Sequence, residues 1–113
     1  MEISITLKDP SSNYIDTVVV NNIKNKDDFT YLDNENNVCN IRVYEDGLTL
    51  DKKGKDYNLY LCLMGEPYAQ IQTCEGIVKF NTKVVDFLKN DDILVMHYSI
   101  DSDTREITIR YRS

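Results

Sequence analysis

Tyr68–Arg112 reads YAQIQTCEGIVKFNTKVVDFLKNDDILVMHYSIDSDTREITIRYR, and its alternation decides the fold class. Leu94, Met96, Tyr98 and Ile100 alternate with Val95, His97 and Ser99. Beyond the polar loop Asp101-Ser102-Asp103-Thr104, Ile107, Ile109 and Tyr111 alternate with Glu106, Thr108, Arg110 and Arg112. Period two marks strands with one buried face. A hairpin over this loop sets Tyr98 opposite Ile107, Met96 opposite Ile109 and Leu94 opposite Tyr111, so apolar side chains meet apolar ones.

Two further corners lie upstream. Asn90-Asp91 sets Phe87 opposite Leu94 and Val85 opposite Met96. Glu75-Gly76, with a glycine free to take positive φ, sets Thr73 opposite Val78, Ile71 opposite Phe80 and Ala69 opposite Thr82. The inner parity is even up to Thr82 and odd from Val85, which predicts a β-bulge or sharp bend near Lys83-Val84. A short helix over Thr82 to Leu88 is the rival reading, since Val84, Val85 and Leu88 also share a helical face.

The pattern extends to the start of the chain. Strands are expected over Ile3–Lys8, Tyr14–Val20, Phe29–Leu32, Cys39–Tyr44, around Leu48 and Leu50, and over Tyr57–Met64. Polar turn clusters separate them at Asp9–Asn13, Asn21–Asp27, Asp33–Asn37 and Lys52–Asp56. Asp46-Gly47 is a strong hairpin signal and sets Val43 opposite Leu50. Many short strands without a helix predict one all-β domain over residues 1–113, an antiparallel meander of about eight to ten strands arranged as a barrel or a sandwich.

Composition excludes several partners. With 13 basic and 19 acidic residues the net charge is −6, which is wrong for a nucleic-acid groove or an anionic membrane surface. The start Met1-Glu2-Ile3-Ser4 alternates like a strand and carries no leader pattern, so a cytoplasmic protein is expected. Cys39, Cys62 and Cys74 are an odd, widely spaced set, and read as reduced thiols rather than disulfide or zinc ligands.

No motif carries chemistry. His97 is the only histidine and is expected on an outer face. Asp101-Ser102-Asp103-Thr104 begins like a calcium loop but lacks the required Gly and closing Glu. Arg105, Arg110 and Arg112 read as a basic edge on the last strand that blocks edge pairing. No catalytic residue, metal site or cofactor is expected, and a non-enzyme is the leading reading.

Leu61-Cys62-Leu63-Met64-Gly65, Ala69–Thr73, then Gly76, Val78, Phe80 and Thr82, and finally Ile107-Thr108-Ile109-Arg110-Tyr111 resemble the YwiB-like bacterial proteins. These are cytoplasmic, calycin-type (lipocalin-like) barrels of uncharacterised function. The likeness runs loosely from Ile3 to Tyr111, with shorter loops near Asn21 and Asp101. It implies a closed barrel and brings over no catalytic or ligand residues.

Two functions compete. A binding barrel would take a small apolar or amphipathic molecule at one open end, with Tyr60, Tyr98 and Tyr111 and the amine of Lys83 as polar handles. Alternatively, the barrel is packed solid and serves as an interaction module. If Tyr60 and Cys62 face inward on the strand Tyr57–Met64, then Leu59, Leu61 and Leu63 face outward and motivate a homodimer.

Overall fold

The alternation resolves into ten strands and one 3-10 turn, Pro10–Ser12, in a computed structural model that describes residues 1–112. The strands are β1 (Glu2–Asp9), β2 (Tyr14–Val20), β3 (Asp28–Leu32), β4 (Val38–Tyr44) and β5 (Gly47–Lys53). They continue as β6 (Asn58–Leu63), β7 (Tyr68–Thr73), β8 (Gly76–Lys89), β9 (Ile93–Ile100) and β10 (Asp103–Arg112). All pairing is antiparallel, in the order β2-β1-β10-β9-β8-β7-β6-β5-β4-β3. Among the described residues no helix is long and apolar enough to cross a membrane.

Each strand pairs with its chain neighbour except across two joins. β1 pairs with β10, Ile3 facing Tyr111 and Ile5 facing Ile109, which brings the two ends of the chain side by side. β2 and β3 are the lips of the resulting barrel and share no ladder. Asn34, just past β3, bridges them: its Nδ2 donates to the Asp16 carboxylate and to the Thr17 carbonyl at 3.2 Å. The barrel is thus nearly closed. Because β10 lies inside the sheet, Arg105, Arg110 and Arg112 do not guard an edge; that expectation fails because the β1 partner lies at the other end of the sequence and leaves no local trace.

β8 is the corner of the barrel. Its first half, to Asn81, pairs with β7, and its second half, from Thr82, pairs with β9. The ladder slips between Val84 and Asp86, so the expected bulge is present and falls on Val85. The rival helix is absent. Val85, expected inside, is the extra residue and points out, 61 % exposed. Phe87 takes the inner position and faces Met96.

Four hairpin registers differ from expectation by two residues, the Asn90-Asp91 corner among them, where Phe87 pairs with Met96 instead of Leu94. Met96 pairs with Ile107 instead of Ile109, Ile71 with Val78 instead of Phe80, and Val43 with Leu48 instead of Leu50. These three turns are shorter or earlier than expected. Asp101-Ser102 alone turns the chain into β10, with Asp101 at φ 55°. Glu45-Asp46 and Cys74-Glu75 form the other two, with Gly47 and Gly76 as the first residues of the next strands. Glycine favours that fourth position of a turn. A slip of two keeps every side chain on its face, so the inner set largely survives.

The largest correction concerns β6. Leu61 and Leu63 are 2 % and 0 % exposed, and half-buried Leu59 packs against the core from the same face. Leu61 sits between Leu50 and Ala69, and Leu63 opposite Leu48, so burial of those partners turns the leucines inward. Tyr60 and Cys62 therefore face out. With the three leucines inside, the motive for a homodimer through them is gone. Beyond β6, the core is filled by Ile3, Ile5, Ile41, Leu94, Met96, Ile107 and Ile109, all at most 1 % exposed.

Candidate functional site

In an up-and-down meander the turns β1–β2, β3–β4, β5–β6, β7–β8 and β9–β10 collect at one end of the barrel. The interior is solid in the middle and opens at that end. A cleft of about 300 Å³ is floored there by Leu7, Leu50, Leu59, Leu61 and Ile100, with Tyr98 at depth. Its rim carries Tyr14, Glu35, Lys52, Tyr57 and Arg105. A second cleft, of about 400 Å³, runs toward Ala69, Ile71 and Phe80 and shares Tyr57, Leu59, Ile100 and Arg105 with the first. Together they form one apolar mouth with a polar rim.

Strand register delivers the polar groups. Arg105 has the inner parity of Ile107 and Ile109, and faces Tyr98 directly across the β9–β10 ladder. Its Nη2 lies 3.6 Å from Asp9 Oδ2, and its Nε is buried without an acceptor. Asp9 also accepts the Ser11 hydroxyl at 2.7 Å, and that bond, with help from Arg105, holds its carboxyl below the usual range. Burial pushes the Tyr98 phenol up to about 12, and no hydrogen bond to its hydroxyl counters that shift.

Lys52 is anchored beside the mouth by Asp33, with Nζ 3.2 Å from Oδ2 and both side chains mostly buried. Burial acts to raise the Asp33 pKa. The backbone N–H groups of Asn37 and Glu35, each donating at 2.9 Å, the Asn37 amide and Lys52 outweigh it, and the carboxyl stays below its ordinary value. Burial likewise acts against the Lys52 charge, and Asp33 overrides it to leave the ammonium more basic than usual. The Cys39 thiol, buried and next to Asp33, is pushed up to about 11. A thiol so placed stays protonated and packs rather than attacks. Among the described residues no three His, Cys, Asp or Glu side chains are grouped to hold a metal ion.

The four residues expected to touch a ligand are not brought together. Tyr98 lines the mouth. Tyr111 is inward but at the opposite end, with the Lys26 ammonium 5.9 Å from its ring centre. Lys83 is exposed and opposite Ser99 on the outer surface, because the bulge comes after it and leaves its parity outward. Tyr60 lies outside against Tyr68, ring centres 5.8 Å apart, because β6 is turned over. His97 is outside as expected, with Nε2 3.8 Å from Glu106, its ladder partner.

Conversely, Leu59 and Leu61, read as an outer interface, line the floor of the cleft. Arg105 could have been found from its parity alone, since it precedes Ile107 by two. Asp9, Glu35 and the pair Lys52 and Tyr57 come from three separate turns, and no sequence spacing links those turns. What the mouth offers is an apolar floor, a phenol and a guanidinium with spare hydrogen-bonding capacity, and a rim of mixed charge. No family model, curated protein or solved structure matches the chain in the comparisons made.

Proposed function

We propose that the protein is a small-molecule binding barrel of the calycin kind, related to the YwiB-like proteins, that takes an amphipathic molecule into the mouth. The observation that carries this reading is the open, leucine-floored cleft of about 300 Å³ above a filled core. Its size stands at the lower end of small-ligand sites, and its make-up of apolar walls with few polar groups is typical of them. Spreading the ligand into the adjoining cleft gives room for a chain or a small ring system.

Thermal-shift screening against medium-chain alcohols, amides, acids and small aromatics tests it. Binders raise the melting temperature of the native protein, and Leu59→Trp, which fills the floor, abolishes the shift. A library with no binder refutes the reading. The interaction-module alternative draws on one observation, the exposed outward pair Val85 and Leu88 on β8. A sharp rise in self-association by light scattering, lost on Leu88→Lys, would favour it instead.

A further inference from the structure

We infer that the polar end of the ligand is an uncharged carbonyl oxygen, such as that of a primary amide or ketone, seated between Tyr98 and Arg105; this rests on the binding reading above. Tyr98 is 5 % exposed, lines the cleft, and finds no partner for its hydroxyl among the described residues. Across the ladder, Arg105 has one ionic contact, at 3.6 Å to Asp9, and an Nε–H with no acceptor. The enclosed Arg105 N–H needs a partner, and the Tyr98 hydroxyl at the cleft wall is a second donor open to a ligand. Two neighbouring donors match one carbonyl oxygen, which has two lone pairs.

The charge count selects a neutral group. Each cation at the mouth already has its own carboxylate: Arg105 has Asp9 at 3.6 Å, Lys52 has Asp33 at 3.2 Å, and Lys8 has Glu106 at 4.0 Å. Glu35, Asp101 and Asp103 stand on the rims of the two clefts with no ion pair among the described residues. A ligand carboxylate would meet the unpaired Glu35, Asp101 and Asp103 and compete with Asp9 for Arg105. An ammonium would be carried against the guanidinium. A carbonyl meets neither cost, and its alkyl or aryl body lies on Leu50, Leu59 and Leu61.

Isothermal calorimetry at pH 7.5 with octanamide, octanoate and octylamine, on the full chain, tests the inference. Octanamide is expected to bind about tenfold more tightly than either charged partner, the ratio one hydrogen-bonded polar pair supplies. Tyr98→Phe, which keeps the ring and its packing, is expected to weaken octanamide about fivefold and leave octylamine unchanged. Arg105→Met, checked for folding by its melting curve, is expected to act in the same sense. Tighter binding of octanoate, tighter binding of octylamine, or an octanamide affinity indifferent to Tyr98→Phe overturns the inference while leaving the binding barrel standing. No binding by any member of the series, together with a failed wider screen, removes both.

Discussion

Gly47 is buried, unlike a glycine at an exposed turn. A Cβ there would lie 2.2 Å from the Leu63 carbonyl oxygen and 2.7 Å from Met64 Cβ, so the residue is glycine because β5 and the end of β6 touch backbone to backbone. Gly47→Ala is expected to cost about 1–3 kcal/mol in denaturant unfolding, the range of overpacking. Asp33 is a second single-residue anchor. It ties the β3–β4 loop through Glu35 and Asn37 and holds Lys52 at the mouth. Its folded pKa lies below the ordinary 3.8, so its contribution is complete above that value and fades as pH falls through the lower, folded value. Asp33→Asn is expected to lose stability at pH 7, and to narrow its deficit against the native protein below about pH 4, since the native carboxyl then protonates too. Melting curves from pH 7 to pH 2.5 check this.

At the scale of the element, β6 and β8 show how strands choose a face. In β6, Leu59, Leu61 and Leu63 alternate with Tyr60 and Cys62, and both sets are apolar enough to be inside. Their partners decide: Leu48 and Leu50 on β5 and Ala69 on β7 face the core and carry the leucines with them. Leu61→Ala is accordingly expected to cost about 2–5 kcal/mol, and Cys62→Ser, on the outer face, less than about 1 kcal/mol. Equal effects would place the wrong face inside. β8 changes partners midway and carries the bulge at Val85, which re-aims Phe87 at the core after Thr82 and Val84. Bulges increase local twist, which suits a strand that turns the sheet from β7 to β9.

For the whole molecule, closure is uneven. β1 joins β10 by a full ladder, whereas β2 and β3 meet through the Asn34 side chain, which reaches Asp16 and Thr17. Stability follows hydrogen bonding and burial, so the lips are the first parts to open. Amide exchange should be fastest along β2 and β3 and slowest in β9 and β10, and Asn34→Ala should speed exchange in β2 with little change in β9. Uniform protection around the barrel would contradict this. The polar-rimmed apolar mouth at the turn end and the filled core beneath it are also properties of the whole, since its rim residues come from turns that only the assembled sheet brings together.

Much of this was legible in the sequence because it depends on local periodicity. The all-β class, nearly every strand, and a bulge in β8, expected near Lys83-Val84 and found at Val85, follow from alternation and turn residues, which act over a few positions. The exact turn pairs did not, because a glycine serves as well at the start of a strand as at a corner, and a two-residue slip leaves each face unchanged. Only tertiary structure decided the rest. The β1–β10 ladder, the inward face of β6, and the meeting of Tyr98 with Arg105, Asp9, Lys52 and Leu59 all depend on which strands become neighbours. That choice is made by burial summed over the closed barrel, a quantity no single stretch of the chain contains.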